Sequence, residues 1–140
     1  MKITAKILEN LFLEYNKEYF DGCLIMPKLS TYIGNTSMGI FSVKTKRSFV
    51  QKEISIARNF NLTTEELRDL LLHEMIHEYV YDKYGKMNHG KEFKRKMKEF
   101  NQLYGFDIRK NSKHLFKKYR NKKSIFTKLF SLFKTKSTTK

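Results

Sequence analysis

A predicted helix that carries two histidines four residues apart constrains this chain more than any other sequence feature. An S/T-x-x-E capping box over residues 63–66 marks the start of the helix, and Gly85 marks its end. Between these ends apolar residues recur at helical spacing. Because residues i and i+4 lie on the same face of a helix, His73 and His77 can point their imidazoles at one position, with Glu74 beside them.

The segment from His73 to His77 has the H-E-x-x-H pattern, which is typical of zinc hydrolases. Catalytic zinc usually takes three protein ligands and keeps a fourth position for water, so one more ligand is required. We expect Cys23, the single cysteine, to be buried and too far upstream to serve. The remaining candidates are His89, His114, Glu78, Asp82 and Glu92.

Chain geometry favours His89 as the third ligand. The helix continues from His77 to Tyr84 and climbs about 10 Å at 1.5 Å per residue. Gly85 then permits the chain to reverse, and the stretch from Gly85 to His89 spans roughly 13 to 15 Å when extended. His89 can therefore return to the level of His77. His114 lies among lysines, which favours a solvated or phosphate-facing role.

The rest of the sequence predicts an α+β fold with a single core. We expect an N-terminal helix, a small three-stranded antiparallel sheet, the helix of the H-E-x-x-H motif and one following helix. The predicted elements are a helix from Thr4 to Tyr19, strands at residues 29–33, 38–43 and 49–57 with a basic connection at 44–48, and a helix from near Asn88 to Gly105 with His89 in its first turn.

Charge divides the chain into two parts. Residues 1–108 hold 17 lysines and arginines against 14 acidic residues, whereas residues 109–140 hold 12 lysines and arginines and no acid. We therefore predict a nearly neutral domain over residues 1–108 and a basic aromatic tail over residues 109–140, partly helical or disordered. One cysteine allows no internal disulfide, and no apolar run is long enough to span a bilayer. We expect a cytoplasmic protein that could associate with the nucleoid.

The tail combines cations with aromatic side chains, as do proteins that neutralise phosphates and stack on unpaired bases. Two alternatives stay open, because an apolar stripe at residues 125–133 could dock on the domain or a protein partner, or could lie on an anionic membrane surface. We predict that the tail contacts DNA, single-stranded or crosslinked to protein, through Lys113, Lys117, Lys118, Tyr119, Arg120, Lys122 and Lys123.

Several segments resemble the SprT-like family of zinc metallopeptidases, which includes the Spartan proteases. Residues 11–24 are similar to the family's opening helix, with its aromatic pair before a glycine and a leucine. The H-E-x-x-H segment is similar to its metal helix, and residues 88–93 are similar to its His-Gly-x-x-Phe element. Residues 38–41 and 54–56 fit its hairpin. The resemblance covers residues 5–108, and the chain lacks the cysteine-rich zinc ribbon that follows the protease core in many bacterial members.

The resemblance implies a zinc metalloendopeptidase in which His73, His77 and His89 bind one Zn²⁺ per chain and Glu74 is the general base. It implies a protein substrate, and the tail adds an expectation that this substrate is associated with DNA or crosslinked to it. One alternative is a nucleic-acid-binding module with a structural zinc. Another is a general cytoplasmic metallopeptidase without a DNA role.

Overall fold

The computed structural model describes residues 2–120. These residues fall into two compact units, the first ending at Lys110 and the second beginning at Asn111. In the second unit, residues 113–120 are helical. Lys122, Lys123 and the predicted apolar stripe lie outside the described residues. The first unit contains α1 (Ala5–Tyr19), β1 (Lys28–Tyr32), β2 (Gly39–Lys46), β3 (Phe49–Ala57), α2 (Thr64–Tyr84) and α3 (Lys91–Tyr104).

Local capping interactions set the ends of the first two helices. The side-chain oxygen of Thr4 accepts a hydrogen bond from the Ile7 N–H at 3.2 Å and caps α1. Thr63 and Glu66 form the predicted capping box at the start of α2. Gly85 ends α2 in the left-handed conformation, with φ of 67°. The predicted α+β class, with its N-terminal helix first, is confirmed.

The three-stranded sheet is mixed rather than antiparallel. β2 and β3 form the predicted antiparallel hairpin, but β1 pairs with β3 in parallel, from Lys28 beside Glu53 to Tyr32 beside Ala57. The strand order is β1-β3-β2, so β3 lies between β1 and β2 in the sheet although it follows both in the sequence. The prediction of an antiparallel sheet is wrong for β1, because side-chain alternation along a strand is the same in parallel and antiparallel pairs.

Three local predictions are also wrong. The connection placed at residues 44–48 is shorter, because β2 continues to Lys46 and cross-strand pairing extends the hairpin. The last helix begins at Lys91, so His89 precedes it instead of lying in its first turn. Cys23 is exposed, since it lies in the turn directly after α1 and not in a packed element.

Helix α2 lies at the centre of the core of the first unit. It contacts α1, α3, β2 and β3. A helix surrounded on several sides must carry apolar residues around most of its surface. The fully buried apolar residues of α2 include Leu71, Leu72, Met75 and Ile76. This position leaves the histidine-bearing face of α2 next to β2 on one side and α3 on the other.

Buried Asn16 of α1 binds the segment that follows the helix through two hydrogen bonds to the Leu24 backbone. Its side-chain amide donates to the Leu24 carbonyl at 2.8 Å, and the Leu24 N–H donates to the Asn16 Oδ1 at 3.1 Å. We expect Asn16→Ala to lower the free energy of unfolding by about 2–3 kcal/mol, because both Leu24 groups lose a buried partner. Exposed Asn10 on the same helix is the matched control, and Asn10→Ala should change stability by less than about 0.5 kcal/mol. Urea unfolding curves measure both, and equal effects would contradict the assignment.

Candidate metal centre

Three histidine side chains converge beside α2. His73 and His77 lie one turn apart on α2, and His89 comes from the segment between α2 and α3. The Nε2 atom of His89 lies 3.1 Å from that of His77 and 3.2 Å from that of His73. One ring nitrogen from each residue lies within 4.8 Å of the others, so the three could hold one metal ion.

The nitrogen separations fit a tetrahedral ion. Zn–N bonds of about 2.0–2.1 Å at tetrahedral angles place two ligand nitrogens about 3.3 Å apart. The observed separations of 3.1 and 3.2 Å match this edge length. The third pair, His73 and His77, lies within 4.8 Å. Three imidazoles would supply three of the four ligands of such an ion, so one position would remain for water. The residues present therefore fit a zinc ion with one open position.

A backbone carbonyl fixes the tautomer of His73. The Nδ1 atom of His73 lies 2.8 Å from the Arg109 carbonyl oxygen. Because a carbonyl only accepts, Nδ1 carries the proton and the Nε2 lone pair points at the cluster. For His77, no partner for buried Nδ1 exists within residues 2–120. The orientation of His77 is set by packing instead.

Burial keeps all three imidazoles neutral. Desolvation lowers the pKa of His73 to about 4, and desolvation together with the charges of the other two histidines lowers the pKa of His77 to about 3. Burial also lowers the pKa of His89, and the nearby charge of Lys110 lowers it further. Neutral imidazoles keep the lone pairs that a metal ion needs.

Phe93 packs under all three rings of the cluster. The centroid of its ring lies 4.8 Å from that of His73, 4.5 Å from that of His77 and 4.9 Å from that of His89. Phe93 is fully buried in the first turn of α3. On the opposite side the Phe41 ring of β2 is stacked on His77, with centroids 6.4 Å apart. Phe93 therefore packs on all three histidines, and Phe41 adds a second aromatic contact to His77.

Glu74 carries the carboxylate that shares the cleft with the histidines. Its Oε1 atom lies 3.9 Å from the His73 Nε2. Its side chain is buried, and desolvation raises the pKa of the carboxyl group to about 8. A cation held by the histidines would lower this pKa, because an opposite charge favours the carboxylate.

Gly39 makes room for the Glu74 carboxylate. A Cβ atom at Gly39 would lie 2.9 Å from the Glu74 Oε1 and 3.2 Å from its Cγ. Any larger residue at this position of β2 would therefore press on the carboxylate. Both residues line a cleft of about 220 Å³. Its other lining residues are Ile40, Phe41, His73, His77, Met87 and His89.

The predicted site residues thus fall into two groups. His73, His77, His89 and Glu74 lie together in the cleft. Lys113, Lys117, Lys118, Tyr119 and Arg120 lie in the helical segment of the second unit. Sequence reasoning missed Gly39, Phe93 and the Arg109 carbonyl, although the His-Gly-x-x-Phe spacing around Phe93 was a visible signal.

The fold and the cleft define an α+β protein with a three-histidine cluster and an adjacent glutamate. The sequence profile of the SprT-like family matches residues 8–114, which is more than half of the 140-residue chain. The chain belongs to the SprT-like family. No curated protein matches the chain. Within the described residues, no helix has the length and apolar character needed to cross a membrane.

Replacing His89 tests whether the three imidazoles act together. We expect His89→Ala to weaken metal binding by more than about 100-fold, because loss of a direct ligand exceeds the 10- to 100-fold effect of losing a ligand's supporting partner. His114→Ala removes a histidine that is not part of the cluster and should leave binding unchanged. Metal content after dialysis against a weak chelator measures both variants. A full equivalent of metal in His89→Ala would contradict the three-histidine site.

Proposed function

We propose that the protein is a zinc-dependent metalloprotease that hydrolyses peptide bonds in proteins associated with DNA or crosslinked to it. The observation that carries the proposal is the meeting of three neutral imidazoles and a buried carboxylate in one open cleft. Imidazole ligands also suit copper, nickel and iron. The SprT-like membership favours zinc, at one ion per chain.

When bound, zinc supplies a Lewis acid that activates water and polarises a scissile carbonyl. His73, His77 and His89 would hold the ion, and their Nε2 atoms face one another. The Arg109 carbonyl fixes the His73 ring, so its lone pair is available without reorientation. Phe93 covers one side of all three imidazoles and Phe41 packs on His77, so these ring faces are shielded from water.

Glu74 is the general base of the proposed reaction. It accepts the proton of the attacking water and delivers it to the leaving amine. Its carboxylate lies beside the histidines and lines the same cleft, so it can reach both the attacking water and the nitrogen of the leaving amine. Gly39 leaves the space that this carboxylate occupies, because a Cβ atom there would lie 2.9 Å from the Glu74 Oε1.

The open coordination position separates the protease from a module with a structural zinc. Structural zinc sites are closed by four protein ligands. Within residues 2–120 the cluster consists of His73, His77 and His89, with a cleft in front of them. This arrangement supports a catalytic ion more strongly than a structural one.

Glu74→Gln tests the proposed general base. The amide keeps the size of the side chain but cannot accept the proton, so we expect cleavage of an unfolded protein substrate to fall by about 10²- to 10⁴-fold. Zinc content should stay near one per chain, because Glu74 is not a ligand. The control is Glu65→Gln, which makes the same charge change in the first turn of α2 and should retain activity. Undiminished, chelator-resistant cleavage by Glu74→Gln would overturn the proposal.

The DNA-directed part of the proposal is supported by the charge of the second unit. Lys113, Lys117 and Arg120 follow helical spacing and are exposed. The Lys118 ammonium lies 5.4 Å from the centroid of the Tyr119 ring, so a cation and an aromatic face are adjacent. Such pairs suit phosphates and unpaired bases.

Deleting residues 109–140 is a poor test of the tail, because the Arg109 carbonyl holds His73. Charge substitution in the full chain is cleaner. We expect replacement of six tail cations by glutamine to weaken binding to single-stranded DNA and to reduce the slope of log K against log salt by up to about 4. The six are Lys113, Lys117, Lys118, Arg120, Lys122 and Lys123.

The control keeps the charge by replacing the five tail lysines of this set with arginine, which should preserve affinity. Fluorescence anisotropy of a labelled oligonucleotide across a salt series measures both variants. An unchanged affinity and salt slope in the glutamine variant would reject the tail as the DNA contact.

A further inference from the structure

A basic arm extends from the sheet. Residues 44–51, named here the basic arm, form the distal end of the β2–β3 hairpin, and all eight are exposed. β1 pairs with β3 only from Glu53 to Ala57. The arm is therefore a two-stranded ribbon that continues beyond the three-stranded part of the sheet. The three-histidine cluster and the proposed tail contacts use none of its residues.

The positive charge of the arm is not compensated locally. Lys44, Lys46 and Arg47 are cationic, and residues 38–52 contain no acid. Within residues 2–120 these three side chains form no ion pair. At the base of the arm, by contrast, Lys52 is held by Glu78 at 2.8 Å. Charges of the arm are thus available for an external anion.

An exposed aromatic ring lies on the same face of the ribbon as the lysines. Lys44 and Lys46 are two residues apart on β2 and point to one face. Phe49 is the cross-strand partner of Lys46, so its ring lies on that face too. Phe49 is 59% exposed. The face therefore presents one aromatic ring beside Lys46, with Lys44 two residues further along β2.

The tip of the arm holds arginine in an unfavourable backbone conformation. Arg47 has φ of 51° and lies in the two-residue turn that joins β2 to β3. Positive φ at this position favours glycine, asparagine or aspartate. Arginine stabilises the turn less than these residues, but it places a guanidinium group at the end of the ribbon.

We propose that the basic arm binds single-stranded nucleic acid, with Lys44, Lys46 and Arg47 contacting phosphates and Phe49 stacking on an unpaired base. Flat aromatic side chains flanked by cations are the usual means of binding single strands without sequence preference. An anionic membrane is a weaker match, because insertion requires a continuous apolar face. The arm has two exposed apolar side chains, and Val50 points away from Phe49 on the next position of the strand.

The arm and the cleft share one strand. The cations lie on the face of the ribbon that points away from α2, because Phe41 and Lys52, on the opposite face, contact His77 and Glu78. Ile40, which also lines the cleft, lies on the same strand and face as Lys44 and Lys46. At about 3.3 Å per residue, four to six residues separate them by roughly 13 to 20 Å. A nucleic acid on the arm would thus lie within about 20 Å of Ile40 at the edge of the cleft, on the outer face of the sheet. The proposed role of the arm deepens the proposed function and rests on it. The arm would give DNA a contact on the same strand as the cleft in which an attached protein would be cut.

The test uses the full chain with the glutamine substitutions in the tail, so that the arm is measured without the tail cations. Binding of a labelled oligothymidine is followed by fluorescence anisotropy across a salt series. We expect Lys44→Gln/Lys46→Gln/Arg47→Gln to weaken binding about 10- to 100-fold at about 0.1 M salt and to reduce the salt slope by about 2. We expect about a tenfold loss for Phe49→Ala and no loss for Phe49→Tyr, which keeps the aromatic face.

The charge-matched control is Lys17→Gln/Lys94→Gln/Lys98→Gln, which removes three exposed cations from α1 and α3. An equal loss in this control and in the arm variant would overturn the proposal in favour of net charge. No effect of Phe49→Ala would overturn base stacking. Arm-dependent binding to phosphatidylserine vesicles without arm-dependent binding to oligothymidine would assign the arm to membranes instead.

Cleavage of a DNA-free unfolded protein separates this proposal from the proposed function. Absence of cleavage by the wild type together with arm-dependent binding would reject the protease and support the arm. Cleavage together with arm-independent binding would reject the arm and support the protease. Circular dichroism of each variant verifies that the exposed substitutions leave the fold intact.

Discussion

The contact of Phe93 with all three histidine rings is the interaction on which the candidate metal centre depends. Its ring centroid lies between 4.5 and 4.9 Å from each imidazole. Because Phe93 belongs to α3 and two of the histidines belong to α2, the site exists only when these helices are packed together. Gly85 and the segment up to His89 bring the third imidazole back to this position. The metal centre is therefore a tertiary feature, although two of its histidines are neighbours on one helix.

Much of this arrangement could be predicted from the sequence, because the signals are local. Helical periodicity and a capping box located α2, and the length of chain after Gly85 was sufficient to bring His89 back to the two histidines of α2. The direction of β1 was not predictable, because inward and outward side chains alternate in the same way in parallel and antiparallel strands. The role of Gly39 was equally hidden, because it depends on how closely β2 approaches the Glu74 side chain across the cleft.

Two buried glutamates on α2 show how differently the fold treats negative charge. Glu78 is fully buried, but Lys52 reaches it from β3 at 2.8 Å and is shared with Asp82. Desolvation still raises the pKa of Glu78 to about 7, and the lysine opposes this effect. For Glu74, no lysine or arginine lies within ion-pair distance among the described residues. In the proposed function the metal ion supplies the positive charge that compensates the Glu74 carboxylate. The missing basic partner of Glu74 is therefore a property of the metal centre.

The cleft with the three histidines and Glu74 offers few contacts that would select one peptide over another. It has a volume of about 220 Å³ and offers few polar side chains besides the histidines and Glu74. Its other lining residues are Gly39, Ile40, Phe41 and Met87, and apolar contacts of this kind discriminate weakly between peptides. Holding enzyme and substrate on the same nucleic acid would instead raise their effective concentration to the millimolar range. In the proposed function, selectivity therefore depends on cations outside the cleft, and a permissive cleft becomes an advantage when the attached proteins differ in sequence.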